Sequence, residues 1–384
     1  MKVFQSLFAG GMVAAALAAC GGGGSGSTSS VVQPPVKSTP IAVQRSSYEN
    51  KIAAGKALGP ITMPPKYGDA AAFADFMQNG TYSVVTHTLE YDVNKPVGVA
   101  TPGHIYFYQY VNGVWQDKTS QLLSSNVGCI HPRKAIVADF NGDGKPDVFF
   151  ACHGFDAAPF SGEQQRVLLS QADGTYKHVA LPIVAYGHGG SAADVNANGY
   201  ADIVVTDTSV AGQPIYLVNN KDGTFTKDLD RVPQAVKKFP CFTGSMCTYG
   251  IYSTEFIDFN KDGKYDLWIG GAIHPADIGN IDSEIFINPG SNIFTSVAPK
   301  VIQTSLTDGG TLDVVFENNN IYQLYTLNYG GVKIEKIDYA TNTATTIYTH
   351  TGPFSNGSNW FPWIIPYNNT IRAMNPIYPV SVPF

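Results

Sequence analysis

A nine-residue loop rich in oxygen-bearing side chains occurs three times in this chain of 384 residues, at positions 139–147, 194–202 and 258–266. Each copy has Asp or Asn at loop positions 1, 3, 5 and 9, and glycine at position 6. Alternate side chains of such a loop point inward and glycine permits the sharp turn, so the loop can enclose a hard cation. Because all of the side-chain ligands are oxygen atoms, we predict that the cation is calcium.

The three predicted calcium sites differ in charge. The second loop has two carboxylates, Asp194 and Asp202, whereas the other two loops have three each. We therefore expect two strong sites and one weaker site, because affinity in such loops follows ligand charge. One copy alone would also fit an ordinary turn, but the recurrence favours calcium. With position 7 included, the predicted metal-site residues are Asp139, Asn141, Asp143, Lys145, Asp147, Asp194, Asn196, Asn198, Tyr200, Asp202, Asp258, Asn260, Asp262, Lys264 and Asp266.

The loop does not belong to an EF-hand, which needs glutamate at position 12 and helices on both sides. Position 12 is Phe150, Val205 and Ile269 in the three copies. The flanking segments, such as residues 136–138 and 148–150, are short β-branched or aromatic runs that predict strands. The cation loop therefore closes a β-hairpin.

The spacing of the loops predicts the architecture. Their first residues lie 55 and 64 residues apart, a range typical of propellers and solenoids. A second turn follows each loop, at residues 173–174, 222–223 and 291–292, with an aliphatic strand before it and an aromatic residue after it. Each unit then contains two hairpins, which make the four strands of a propeller blade.

Degenerate copies of the unit extend the array at both ends. Residues 75–83 have the spacing of the cation loop but lack two of its ligands, so we expect them to form the same turn without binding a metal ion. Taken alone, residues 69–79 could form a short helix, but the repeat argues against it. Residues 305–313 are predicted to head a further unit, with hairpins near 318–320 and 330–331. Residues 351–384 are predicted to form half a blade, completed by a strand from the N-terminal side. The sequence thus predicts an all-β propeller of about six four-stranded blades, with five or seven possible.

The loop motif resembles the FG-GAP or VCBS repeats of integrin α-subunit propellers and many bacterial surface proteins. The resemblance covers roughly residues 65–350 and is specific at the three intact loops. It implies a propeller fold, and calcium at the matching Asp and Asn positions. Members of the family range from adhesins to enzymes, so the resemblance does not imply one activity.

The N-terminus predicts export and lipidation. Residues 1–19 have the pattern of a signal peptide and end in Leu17-Ala-Ala-Cys20, which resembles the bacterial lipobox with Cys20 as the lipidated residue. Residues 20–48 are rich in Gly, Ser and Pro and predict a flexible tether to a domain at 49–384. A plain secretory signal is the alternative. Because Gly21 rather than Asp follows the cysteine, we expect anchoring at the bacterial outer membrane or cell surface.

The remaining four cysteines favour two disulfides in an exported protein, and we predict the local pairs Cys129–Cys152 and Cys241–Cys247 among three connectivities. A zinc site is the rival interpretation, but short Cys-x-x-Cys spacing is lacking. The net charge of −6, with no Lys/Arg cluster, argues against a nucleic-acid partner.

The face opposite the calcium loops is the predicted place for function, because the segments entering the first strand and leaving the second strand of each blade meet there. Four histidines fall in these segments, and with nearby carboxylates they could bind a transition metal or act as acid and base. The plainer alternative is that they are polar turn residues. These candidates are His131, His153, His188 and His274, together with Arg133, Asp156, Asp207, Tyr249 and Asp277.

Two further segments carry weaker signals. Residues 187–190, a glycine-rich turn, could hold an anion through backbone N–H groups. Trp360, Phe361 and Trp363 could stack on sugar rings, although such residues more often fill blade cores.

From sequence, no pair of acid and base groups and no nucleophile motif can be identified. We therefore expect a calcium-stabilised, lipid-anchored module that binds a glycan or a protein partner. The alternative is an extracytoplasmic hydrolase or polysaccharide lyase whose site contains the histidines.

Overall fold

A computed structural model describes residues 38–58, 63–92, 95, 99–156, 161–208, 214–233, 251–274, 279–327, 330–352, 361, 363–374 and 380–383. Within this part of the chain, antiparallel strands form five four-stranded blades of a β-propeller and a three-stranded C-terminal sheet. The all-β propeller prediction is therefore confirmed, at one of the blade counts that the repeat allowed. No helix among these residues is long and apolar enough to cross a membrane.

The strands follow one another from the axis outward in each blade. Blade 1 contains β1 (Ala70–Ala74), β2 (Ser83–His87), β3 (Ile105–Val111) and β4 (Val114–Asp117). Blade 2 contains β5 (Pro132–Ala138), β6 (Asp147–Cys152), β7 (Glu163–Ser170) and β8 (Tyr176–Ala185), and blade 3 contains β9 (Gly190–Ala193), β10 (Asp202–Val205), β11 (Ile215–Asn219) and β12 (Phe225–Lys227). A short helix, α2 (Thr119–Leu122), follows blade 1, and a 3-10 turn (Leu229–Arg231) follows blade 3.

The later blades are less regular. Blade 4 contains β13 (Ser253–Ile257), β14 (Asp266–Gly270), β17 (Ser283–Phe286) and β18 (Lys300–Ile302); the small hairpin β15 (Ala272–His274) and β16 (Gly279–Asn280) leaves it to join the edge of blade 5. Blade 5 contains β19 (Gly309–Glu317), β20 (Asn320–Leu327), β21 (Gly331–Asp338) and β22 (Thr343–Thr351). The C-terminal sheet contains β23 (Trp363–Tyr367), β24 (Thr370–Met374) and β25 (Val380–Pro383).

The repeat frame is confirmed at the predicted hairpins. Each intact cation loop joins the first two strands of its blade, as in the pairing of Ala138 with Asp147. Residues 70–74 are strand rather than helix, because the degenerate loop at 75–83 also closes a hairpin. In blade 4 the aromatic residue Phe294 was predicted to mark the start of the fourth strand. That strand begins later, at Lys300, because a turn region lies between the two residues.

The further unit predicted to begin at residues 305–313 is confirmed as blade 5, because β19 and β20 are joined near the predicted 318–320 and β21 begins at Gly331. The loop frame itself is not kept there: residues 309–313 lie inside β19, and the turn is made by Asn318 and Asn319 in left-handed conformation. The predicted completion of the C-terminal half-blade is wrong. The C-terminal sheet gains no strand from the described N-terminal residues. Those residues form a helix instead.

Helix α1 (Ser47–Leu58) lies across the centre of the propeller, where it packs against β1, β5, β9, β13 and β23. The hydroxyl of Ser46 accepts the N–H of Glu49, which is an N-terminal cap with glutamate at the third helical position. Gly55 is needed for this packing, because a Cβ there would lie 2.8 Å from Cβ of Ile365. The segment before the helix is also packed, since the N–H of Ile41 donates to the Asp75 carboxylate.

A buried ion-pair network holds α1 in the axis. Lys51 Nζ lies 2.8 Å from Asp313 Oδ2 and 3.4 Å from Glu255 Oε1. Lys134 Nζ lies 2.7 Å from the same Glu255 oxygen and 3.5 Å from Asp313 Oδ1. Asp313 also accepts the N–H of Ile364, so the network connects the helix, three blades and the C-terminal sheet.

We predict that Lys51→Met lowers the free energy of unfolding by about 3 kcal/mol, because removing one partner leaves buried carboxylates incompletely compensated. Lys56→Met is the matched control. Lys56 is in the same helix and pairs with Glu317, but its side chain is 54% exposed, so we expect a change within about 0.5 kcal/mol. Chemical denaturation of the three proteins measures both effects, and equal losses in the two variants would contradict the role of the network.

Candidate functional site

The first aspartate of each cation loop organises the loop backbone. Asp139 Oδ1 accepts the N–H groups of Gly142 and Asp143, and Oδ2 accepts that of Gly144. Asp194 and Asp258 accept backbone N–H groups at the equivalent positions 5 and 6. The loop is thus folded around this carboxylate.

The aspartate at loop position 9 is buried and connects the first hairpin to the third strand of the blade. Asp147 accepts the N–H groups of Phe140 and Asn141 on one side and that of Ser170, in β7, on the other. Asp202 and Asp266 make the corresponding bonds to Asn219 and Asn288. Burial, with repulsion from Asp139, raises the pKa of Asp147 to about 7.

The donor set of the loops fits calcium. The side chains that surround each loop are carboxylates and amides, which are oxygen ligands. In two loops the lysine at position 7 extends a cation toward the position-5 carboxylate: Lys145 Nζ lies 3.4 Å from Asp143, and Lys264 Nζ lies 3.0 Å from Asp262. Concentrated negative charge that attracts a nearby ammonium group would also attract a divalent cation.

The degenerate loop of blade 1 keeps the turn. Asp75 accepts the N–H groups of Asn79 and Gly80, as the first aspartate does elsewhere. Its Oδ2 also accepts the N–H of Ile41, from the segment before α1. The predicted loss of the metal here remains a prediction.

Three of the four candidate histidines converge at the opposite end of the strands. His131 precedes β5, His153 follows β6 and His188 precedes β9. The ring centroids of His131 and His153 are 4.8 Å apart, and those of His153 and His188 are 4.5 Å apart. We call His131, His153 and His188 the axial histidine cluster.

Charged and phenolic groups surround the axial histidine cluster. Arg133 lies between two carboxylates, 3.3 Å from Asp69 and 3.2 Å from Asp156. The hydroxyl of Tyr186 donates to Asp156 over 2.5 Å, and the ring of Tyr186 is centred 3.5 Å from that of His153. The hydroxyl of Tyr91 lies 2.8 Å from Nδ1 of His131.

The surroundings of the cluster histidines favour the neutral imidazole. Burial lowers the pKa of His131 to about 4, with repulsion from Arg133 as the next cause. Burial also holds the pKa of His153 and that of His188 well below the ordinary value of histidine. Neutral imidazole is the form that accepts a proton or ligates a metal.

Two neighbouring features hold the histidines in place. The predicted disulfide Cys129–Cys152 is confirmed, and its cysteines lie just before His131 and His153 in sequence. The Glu163 carboxylate accepts the N–H groups of Ile130, His131 and Gly154, so it connects the loops that carry the two histidines.

The other sequence candidates have different outcomes. Asp207 is nearby but accepts the N–H of Tyr186, which is a structural role. His274 lies in β15, and its side chain is outside the described part of the structure. The residues Cys20, Cys241, Cys247, Tyr249, Asp277 and Trp360 also fall outside the described residues.

The anion site predicted at residues 187–190 is wrong. The N–H of Gly187 donates to the carbonyl of Cys152, and those of His188 and Gly189 both donate to the hydroxyl of Thr206. These donors are therefore used within the fold. Trp363 and Phe361 are buried, and the indole of Trp363 donates to the carbonyl of Ala71, so both fill the core rather than a sugar site.

Sequence reasoning missed Asp69, Tyr91, Glu163 and Tyr186. Asp69 precedes β1 and Tyr91 follows β2 in blade 1, and the packing of β1 against β5 brings them beside blade 2. Only the adjacency of Tyr186 to the Gly187-His188 turn gave a local signal.

Comparison with known proteins identifies the repeat. The family described as FG-GAP-like repeat matches residues 97–150, 139–205 and 194–269. No curated protein sequence matches the chain.

Among solved structures, a protein of unknown function from Dyadobacter fermentans is 13% identical with a TM-score of 0.47, covering 82% of this chain and 92% of the other. The periplasmic gluconolactonase of Pseudomonas aeruginosa is 12% identical with a TM-score of 0.45, covering 80% and 78%. A glycoside hydrolase family 43 arabinoxylan arabinofuranohydrolase from Bacillus subtilis is 12% identical with a TM-score of 0.38, covering 88% and 62%.

The three family matches coincide with the hairpins that carry the intact cation loops, and the blades extend the same architecture on both sides. The chain is therefore an FG-GAP-repeat β-propeller.

Proposed function

We propose that this chain is a calcium-stabilised, lipid-anchored bacterial surface protein that cleaves an extracellular polysaccharide at the axial histidine cluster. The observation that carries the proposal is the convergence of three neutral histidines with Asp69, Arg133, Asp156 and two tyrosines at one end of the axis. A flat adhesive surface does not require so many buried polar groups in one place.

The residue types favour elimination, as in a polysaccharide lyase. Elimination next to a uronate carboxyl group needs a base that removes a proton, an acid that protonates the leaving oxygen, and positive charge near the carboxylate. Imidazole and phenol groups can provide the base and the acid, and Arg133 provides positive charge. His188 and Tyr91 are the partly exposed members of the group, so they are the ones that substrate would reach.

The proposed location is supported by the disulfide. Cys129–Cys152 is buried in blade 2, and disulfides of this kind persist in oxidising compartments outside the cytoplasm. Lipidation at Cys20, followed by a Gly/Ser-rich tether, would hold the propeller at the outer membrane or cell surface.

Glycan binding without cleavage is a second candidate, favoured by one observation. On blade 1 the rings of Tyr106 and Tyr108 stack at 6.1 Å, and those of Tyr110 and Trp115 lie 5.0 Å apart. Tyr110 is 43% exposed, so part of this aromatic row could stack on sugar rings.

We predict that the calcium-loaded protein depolymerises at least one uronate-containing polysaccharide, and that His188→Ala lowers the rate by about 100-fold or more, as expected for loss of a group that transfers a proton. Unsaturated product, detected by ultraviolet absorbance, reports elimination, and new reducing ends report any cleavage.

His104→Ala is the control, because His104 is partly exposed and paired with Glu90 outside the cluster. Reducing ends without unsaturation would show a hydrolase. Binding of a polysaccharide without any cleavage would contradict the enzymatic proposal and would favour glycan binding by the aromatic row of blade 1.

We also predict that calcium raises the melting temperature, and that Asp139→Ala or Asp258→Ala removes much of the increase. Each filled site adds about 2.7 kcal/mol when free calcium is about 100 times Kd. Asp194→Ala should remove less, because its loop has fewer carboxylates.

Asp75→Ala is the matched control for calcium. Asp75 makes the same turn but belongs to the loop that lacks two ligands, so its loss should lower stability equally with and without calcium. A melting temperature of the wild type that does not change in excess chelator would contradict the calcium sites.

A further inference from the structure

We propose that His131, His153 and Asp156 bind one divalent transition-metal ion of the zinc class, at the axial end opposite the calcium loops. The proposal deepens the proposed function, because such an ion would supply a Lewis acid at the same centre. It is tested by metal binding alone, so it can hold or fail independently of any cleavage.

Two ring nitrogens of the axial histidine cluster are available to a metal ion. Nε2 of His131 and Nε2 of His153 are both buried, and neither makes a hydrogen bond to any residue that the structure describes. Nε2 of His131 lies 3.6 Å from the nearest Asp69 oxygen, beyond hydrogen-bond distance. Buried polar atoms are nearly always satisfied, so two unsatisfied nitrogens on rings 4.8 Å apart call for a common partner.

The partners of Nδ1 in His131 and His153 favour the tautomer whose Nε2 has a free lone pair. Nδ1 of His153 lies 3.3 Å from the carbonyl of Gly154, which can only accept, so in the neutral ring Nδ1 carries the proton and Nε2 has the lone pair. Nδ1 of His131 lies 2.8 Å from the hydroxyl of Tyr91, which can accept the corresponding proton. Metal-ligating histidines have this arrangement, with the second nitrogen donating to a carbonyl or another oxygen.

The carboxylate of Asp156 can supply the third ligand. One ligand atom from each of His131, His153 and Asp156 can be chosen so that all three lie within 4.8 Å of one another. A tetrahedral zinc ion with bonds of about 2.0–2.1 Å holds its ligands about 3.4 Å apart, so side-chain shifts of about 1 Å complete the site. Asp156 is partly exposed, its side chain at 39%, which leaves a path for the ion.

The charge balance of the centre permits a cation. Arg133 is positive and close, but it is shared between Asp69 and Asp156, which together carry two negative charges. Two histidines and one carboxylate leave a position for water or a substrate oxygen, as in catalytic zinc sites. His188 borders this position, because its ring is centred 4.5 Å from that of His153.

The two kinds of site should select different ions. The cation loops offer only oxygen ligands and suit calcium, whereas imidazole nitrogen suits zinc, cobalt and related ions. Cobalt(II) in excess calcium is therefore a selective probe, because its visible bands report nitrogen-containing coordination of low symmetry.

The experiment titrates the metal-free mature protein with Co²⁺ in millimolar calcium, and measures retained Zn²⁺ by elemental analysis after desalting. We expect one equivalent of Co²⁺ to bind in the titration and, in the separate measurement, one equivalent of Zn²⁺ to be retained. His153→Gln should weaken binding by more than about 100-fold, and Tyr91→Phe, which removes only the partner of His131 Nδ1, by about 10-fold. His104→Ala, outside the cluster, should leave the Co²⁺ spectrum unchanged.

Failure of the wild type to retain a stoichiometric ion would overturn the proposal, as would Co²⁺ spectra that are identical in folded His153→Gln and wild type. If His153→Gln does not fold, Asp156→Asn decides, since this partly exposed side chain can be changed without opening the core. Retention of the ion by a protein that cleaves no polysaccharide would uphold the site and reject only the proposed activity.

Discussion

The buried carboxylate at position 9 of each cation loop is the interaction on which the blades depend. Asp147, Asp202 and Asp266 are almost completely inaccessible, and each accepts a backbone N–H group from the third strand of its blade or, for Asp266, from Asn288 just after that strand. A hydrogen bond of this kind contributes about 0.5–1.5 kcal/mol, and a buried group left without its partner costs about 1–3 kcal/mol. The first hairpin is thereby connected to the next strand, so the cation loop also fixes the outer half of the blade.

This arrangement separates the two ends of the propeller. The cation loops lie at one end of the first hairpin, so the segments that enter and leave that hairpin must lie at the other end, where the axial histidine cluster forms. Helix α1 fills the space between, held by Lys51 against carboxylates of blades 4 and 5. One end is thus specialised for stability and the other is free to vary in chemistry.

The sequence predicted the structural features that recur in every blade, but it did not predict contacts that occur only once in the molecule. The hairpins of blades 1 to 4 follow from loop spacing, and the convergence of His131, His153 and His188 follows from their shared position in the repeat. Helix α1 was missed, although Ser46 and Glu49 form a local capping signal, because only the assembled ring supplies the buried partners of Lys51. Asp69 and Tyr91 hold the equivalent positions of blade 1, before its first strand and after its second, but they were missed because the loop of that repeat is degenerate and no histidine marks its ends.

The propeller thus carries two chemically distinct centres, one of oxygen-bearing side chains in the cation loops and one of imidazoles with a carboxylate at the axial histidine cluster. The most direct test is anomalous X-ray diffraction at the zinc absorption edge, from crystals of the mature protein grown with calcium and one equivalent of zinc. We predict a single strong zinc peak between His131, His153 and Asp156, and calcium density within the loops at 139–147 and 258–266. Zinc located only in the loops or at surface histidines, with the axial cluster unchanged, would contradict the account.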